Sequence, residues 1–204
     1  MAPNIKSARR AREIEHTRRD IIDAAARVFA QAGFHEATMQ AIAREVGFTA
    51  ASLYTYFKSK DEIYEALVDE FRGAFLATFD AHLPAGLTFE QRLELLVQRQ
   101  FELAFARRQA LRIIFDLGPR HRCRNGEDGP LPLLRRMTEF LAASGAREHL
   151  RFPPEEAARV LFGITQALFL PWIVAGAAAA PDPAREAAHA VELLLRGAGR
   201  PAGG

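Results

Sequence analysis

Residues 38–60, TMQAIAREVGFTAASLYTYFKSK, constrain the fold of this chain more than any other stretch. Thr38 can cap a short helix whose apolar positions are Met39, Ile42, Ala43 and Val46. Gly47 can end it, because glycine takes the left-handed backbone of a tight turn without a Cβ penalty. Thr49 can cap a second short helix, from Ala50 to about Phe57. Ser59 followed by Glu62 fits a capping box that opens a third. Two short helices joined by a tight turn have one common physical use: the second is placed in the major groove of duplex DNA.

The rest of the chain also reads as helix, so the expected fold is all-α. Ile21, Ile22, Ala25, Val28 and Phe29 recur at helical spacing between Arg18 and Gln31, with Gly33 placed to terminate them. The helix opened at Ser59 is expected to reach about residue 81, with Ile63, Leu67, Phe71, Phe75 and Phe79 near one stripe. Thr88 with Gln91 makes a second capping box, opening a helix over about 89–107. A short apolar helix over about 109–116 follows, then a polar Gly-rich loop, GPRHRCRNGEDGP. Further helices are expected over about 131–143, 155–176 and 183–196; Pro171 is expected to kink the second of these. Residues up to about 14 carry no apolar period and are expected to be poorly ordered. The organisation predicted is a basic flexible arm over 1–16, a three-helix DNA-binding domain over 17–60 and a helical body over 61–204.

Charge is unevenly placed. Residues 1–60 hold ten Lys/Arg against six Asp/Glu, while the remainder holds 17 against 19. A basic end on a near-neutral body fits a polyanion partner for that end, or equally a solubilising tail. No apolar run approaches the roughly 18 residues that span a bilayer, and no apolar stretch follows the basic start as in a secretory signal. Cys123 is the only cysteine, so no internal disulfide can form and a cytoplasmic location is expected.

A recognition helix must stand proud of its domain while being held rigidly. Leu53 and Phe57, four apart, can anchor one face against Ile42, Val46 and the first helix. Thr49, Ala50, Ser52, Thr55 and Tyr56 then face outward, and Ala50 and Ala51 keep the leading edge thin. Tyr54 and Tyr56 can donate to phosphates, Lys60 can add a charge contact, and Gln40 can bond adenine from the supporting helix.

The segment FAQAGFHEATMQAIAREVGFTAASLYTYFKSKDEIYEAL resembles the DNA-binding domain of TetR-family transcriptional regulators. The likeness covers about residues 17–67: F-x-x-x-G-F-x-x-x-T, the A-x-x-x-G turn and L-Y-x-Y-F-x-S-K occur in register. Beyond it, only size and helix order agree. The resemblance implies three DNA-binding helices and a long fourth helix leading to a ligand-binding, dimer-forming domain. It places DNA contacts at Thr38, Gln40, Thr49, Ala50, Ala51, Ser52, Tyr54, Thr55, Tyr56 and Lys60. Many members read S-K-G-T-L-Y where this chain reads T-A-A-S-L-Y, so fewer long side chains face the groove. Base reading then leans on Gln40, Thr49 and Thr55, on alanine methyl groups, or on Arg9, Arg10 or Arg12 reaching a minor groove.

The second half is read from its apolar helices. Helix 155–176 is apolar nearly all round and needs cover on two sides; a second copy of the chain is the simplest cover for one. With helix 183–196, carrying Ala184, Ala187, Ala188, Val191, Leu194 and Leu195, it is expected to form a homodimer interface. Gln100, Thr165 and Gln166 are polar among apolar neighbours and, with Phe101, Phe105, Phe140 and Phe169, are the residues expected to meet a small apolar or amphipathic effector. A fully buried monomer core is the plainer alternative. His121 and Cys123 in an Arg-rich loop fall short of a metal site, and no catalytic set or cofactor motif is present. The function expected is a ligand-responsive regulator bound to a palindromic double-stranded DNA operator, a repressor in the first instance. An activator of the same family and a weakly sequence-specific architectural protein are the alternatives.

Overall fold

The helices of the computed structural model follow the apolar periods of the sequence. It describes residues 5–117, 131–175 and 181–198. They form α1 (Ile5–Ala32), α2 (Met39–Val46), α3 (Ala50–Tyr54), α4 (Lys60–Asp80), α5 (Phe89–Ala106), α6 (Arg108–Leu117), α7 (Leu131–Ala143), α8 (Ala146–His149), α9 (Pro154–Ala175) and α10 (Pro183–Ala198). No strand occurs among the described residues. The His121–Cys123 loop and the end of helix 155–176 lie outside them.

Two units divide the chain. The first runs to Phe71 and takes in Arg112–Leu117; the second holds Arg72–Leu111 and the described residues beyond 130. The division therefore falls inside α4 rather than at residue 60. In the first unit α2 packs on α1 and on α3. Ile21, Ala25, Val28, Phe29, Ile42, Ala43, Leu53, Phe57, Ile63 and Leu67 make its core. The Phe34 ring lies 5.1 Å from Phe29 and 5.5 Å from Tyr64.

α1 begins well before the expected Arg18, and the stretch from 5 to 16 is helical rather than an arm. Apolar period is absent there, but charge spacing is not. Arg9 pairs with Glu13 at 2.9 Å, Arg19 with Glu15 at 3.5 Å and His16 with Asp20 at 3.1 Å, each one turn apart. Such pairs each favour a helix by a few tenths of a kcal/mol, about 0.2–0.5.

In the second unit α5 packs on α10, and α9 packs on α7 and α10. The expected capping box at α5 forms in full: Thr88 Oγ1 accepts from Gln91 N, and Gln91 Oε1 accepts from Thr88 N. α9 buries Ala157, Ala158, Leu161, Thr165, Phe169, Trp172 and Ile173, while Val160 and Leu170 on the opposite side are exposed. In α10, Ala187, Ala190, Val191 and Leu194 belong to the core, which leaves Ala184, Ala188 and Leu193 exposed. α8 has no counterpart in the sequence expectations; Gly145, at φ 86°, turns the chain into it and Leu150 is buried just after. Arg136 of α7 bonds Asp80 at the end of α4 and Glu139 on its own helix. Its guanidinium pKa is raised, first by the Glu139 hydrogen bond and then by the Asp80 charge.

Candidate functional site

α3 is positioned by caps that the local sequence supplies. Thr38 Oγ1 accepts from Ala41 N at 3.1 Å, and Gly47 at φ 79° closes α2, its N–H bonding back to the last carbonyls. Thr49 Oγ1 accepts from Ser52 N at 3.1 Å and starts α3. The helix ends at Tyr54, short of the expected Phe57. The chain continues as a bonded turn, since the N–H groups of Tyr56 and Phe57 both donate to the Leu53 carbonyl. The next helix start is half as expected. Ser59 Oγ accepts from Glu62 N, but the Glu62 carboxylate accepts from Lys58 N, one residue earlier than a reciprocal box requires.

Leu53 and Phe57 are 0% and 1% exposed, so one side of α3 is fixed in the core. The other side carries exposed Thr49, Ala51, Ser52, Tyr54 and Thr55, with Ala50 and Tyr56 half-buried; Thr38 and Gln40 on the α2 side are exposed. The hydroxyls are already linked. Thr49 Oγ1 and Ser52 Oγ lie 2.9 Å apart, and Thr55 Oγ1 donates to the Ser52 carbonyl at 2.7 Å. Thr55 therefore offers acceptor lone pairs rather than a proton.

Lys60 departs from the expected phosphate contact. Its ammonium donates to the carbonyls of Phe34, His35 and Ala37 at 2.8, 2.8 and 3.0 Å, which uses all three of its donors. It also lies 4.9 Å from the Phe34 ring centroid. Lys60 ties the start of α4 to the loop before α2. Two further ties were absent from the sequence reading. Arg18 of α1 donates to the Tyr56 carbonyl and lies 3.9 Å from the Phe57 ring centroid. Arg27 of α1 pairs with Glu45 of α2 at 2.7 Å. Both join residues distant in sequence, and no local pattern marks them.

In the second unit the expected effector residues separate into two places. Phe101 and Phe105 of α5 meet α9: Phe101 lies 4.4 Å from Phe169, and Phe105 lies 4.5 Å from Trp172. Phe140 is elsewhere, paired with Phe79 at 6.2 Å. Thr165 is buried but satisfied, its hydroxyl donating to the Phe162 carbonyl at 2.9 Å. Gln166 is half-buried. Gln100 is 1% exposed, and neither its Oε1 nor its Nε2 has a partner. Trp172, which the sequence reading treated only as an apolar aromatic, buries an indole Nε1 that is equally unpartnered. Among the described residues no His/Cys/Asp/Glu cluster could hold a metal, and no helix is long and apolar enough to cross a membrane.

Residues 21–67 match the family described as bacterial regulatory proteins, tetR family. Over 83 residues the chain is 32% identical to the fatty acid metabolism regulator protein of Bacillus subtilis, a match spanning 41% of this chain and 43% of that one. Over 187 residues it is 29% identical to the HTH-type transcriptional regulator YdgC of the same organism, spanning 89% of this chain and 92% of that one. Its fold is shared with the fatty acid degradation regulator FadR of Bacillus halodurans, at a TM-score of 0.74 and 23% identity over 87% of this chain and 94% of that one. It is shared too with FadR of Bacillus subtilis in complex with stearoyl-CoA, at 0.72 and 24%, over 87% and 97%.

Proposed function

We propose that this chain, which belongs through residues 21–67 to the tetR family of bacterial regulatory proteins, represses transcription from a palindromic operator and releases it when a small effector binds the second unit. That it is a DNA-binding transcriptional regulator follows from the family; repression, operator symmetry and effector are the finer reading. One observation carries it: α3 is locked through Leu53 and Phe57 while Thr49, Ala51, Ser52, Tyr54 and Thr55 stay exposed together. A short helix held in this way fits a major groove, and Gln40 on α2 offers a bidentate partner for adenine.

A two-fold operator needs a two-fold protein. The exposed small and apolar residues of α9, Val160, Gly163, Ala167 and Leu170, recur at helical spacing on the side away from its own core, and exposed Ala184 and Ala188 of α10 extend them. They fit a second copy of this chain. The effector reading rests on the α5–α9 aromatics and the unpartnered Gln100 and Trp172. A relative in fold holds stearoyl-CoA, so acyl compounds are the first effectors to try.

α4 begins in the first unit and ends in the second, where Arg136 holds Asp80. An effector that favours one placement of that end is felt at Ser59 and Lys60. It shifts the equilibrium only by its differential affinity for the two states. A hundredfold loss of operator affinity takes about 2.7 kcal/mol of coupling, within the usual span for allostery. The test is footprinting of the purified chain on DNA flanking its own coding region, with and without an acyl-CoA. Two protected half-sites about one helical turn apart are expected, lost when the effector is added. Protection without preference for any duplex supports the architectural alternative instead.

A further inference from the structure

A buried polar group without a partner is an uncommon defect, and among the described residues the second unit holds two side chains of this kind, Gln100 and Trp172. Leaving such a group dry costs stability, so native proteins pair nearly all of them. Gln100 lies on the buried side of α5 with Leu96, Val97 and Ala104, one residue before Phe101. Its amide has two donor hydrogens and an acceptor oxygen to satisfy. Trp172 Nε1 adds one more donor, at the far end of the ring series in which Phe169 meets Phe101 and Phe105 meets Trp172. No charged side chain is buried among the described residues; the buried polar ones are Gln100 and Thr165 alone, and Thr165 is already bonded. Arg108, at the edge, lies over the Trp172 ring at 4.7 Å and donates to the Trp172 carbonyl at 3.3 Å.

We infer that Gln100 and Trp172 are specificity residues for an effector whose buried polar group is neutral, an amide, ester, thioester or hydroxyl on an apolar body, and that they discriminate against a free carboxylate. This rests on the reading of the second unit as effector-binding and names the chemistry it takes. A carboxylate placed beside Gln100 would lose its hydration with no buried cation to replace it, and an isolated buried charge is far costlier than a neutral group that hydrogen-bonds. A carbonyl can accept from Gln100 Nε2 or from Trp172 Nε1, while an amide N–H or a hydroxyl can also donate to Gln100 Oε1. The rings between α5 and α9 must part to admit the ligand, and bonds gained at the amide and the indole offset that cost.

Trp172 is the only tryptophan in the chain, so its emission reports on its own surroundings. The full-length protein is titrated with octanamide, octan-1-ol and octanoate at about pH 8, where octanoate is ionised. The two neutral probes are expected to shift Trp172 emission and raise Tm, with octanoate at least about tenfold weaker. Gln100→Met is expected to raise the Tm of the free protein by about 2–6 °C, because an unpaired amide is removed, and to abolish preference for the neutral probes. Trp172→Phe gives a second measurement, by Tm alone: a weakened response to octanamide is expected. Equal binding of all three probes, no binding of any, unchanged octanamide binding in Gln100→Met, or a fall in its free Tm overturns the inference. Operator footprints are run alongside. Retained footprints with no probe preference sink the ligand class alone, whereas a wild-type chain that protects no duplex sinks the regulatory reading.

Discussion

In the first unit Thr38, Thr49 and Ser59 each take a backbone N–H at a helix start, and Lys60 places all three of its donors on carbonyls. In the second unit the margins are as orderly, with Thr88 and Gln91 bonded reciprocally, but the core buries Gln100 and Trp172 atoms that meet nothing. On the function proposed above, the difference is what a DNA reader and a ligand receptor would each need. A helix that reads DNA must not move relative to its supports, and the Thr49 cap and the Arg18 bond to the Tyr56 carbonyl hold α3 and the turn after it. A receptor of the proposed kind would gain hydrogen bonds when its ligand arrives, and the Gln100 amide and Trp172 indole would supply them at a cost in stability to the free protein.

That contrast breaks if the first unit tolerates damage. Phe57→Ala should cost about 3–5 kcal/mol in urea unfolding and abolish operator binding, because a fully buried ring is removed beneath α3. Retained binding with near-normal stability would mean that α3 is not held from below. Lys60→Met comes next, at about 2–3 kcal/mol, since its loss strips a charged donor from the Phe34, His35 and Ala37 carbonyls. The slope of log affinity against log salt should stay unchanged if Lys60 touches no phosphate. A slope lowered by about one would restore the phosphate role expected from its motif position. Gly47→Ala is smaller, about 1 kcal/mol, for an L-residue forced to φ 79°. Calorimetry should record a lower Tm with the same fold by circular dichroism.

Local chemistry was legible in the sequence; distant chemistry was not. The caps at Thr38, Thr49 and Thr88 and the left-handed Gly47 follow from residues a turn apart, and each stands where expected. So does the burial of Leu53 and Phe57, which follows from a four-residue spacing. The ties from Arg18 to Tyr56 and from Lys60 to the Phe34 loop join distant residues, and no spacing rule reaches that far. Residues 5–16 carry no apolar period to mark them as helix; charges one turn apart hold the helix there. α8 is too short to show a period. In the second unit Gln100 and Thr165 looked alike, as polar residues on apolar faces. Only the packing around each separates the hydroxyl that finds the Phe162 carbonyl from the amide that finds no partner among the described residues.

The smallest effect tests the opposite kind of cation. Arg9 is engaged with Glu13, and Arg12 Nε donates to the Ala8 carbonyl, but Arg10, exposed on the same helix, has no hydrogen-bond or ion-pair partner among the described residues. A charge that holds nothing in the free protein is available to a phosphate at no structural cost. Arg10→Ala should therefore change stability by no more than about 0.5 kcal/mol, as exposed substitutions do. It should weaken binding to all duplexes about equally and lower the salt slope by about one, the signature of a lost phosphate contact. Lys60→Met and Arg10→Ala then form a crossed pair. One removes a cation committed to the fold and should alter stability without the slope, and the other removes an uncommitted cation and should alter the slope without stability. If Arg10→Ala leaves the slope untouched, the first turns of α1 lie clear of the DNA, and the basic charge there serves solubility alone.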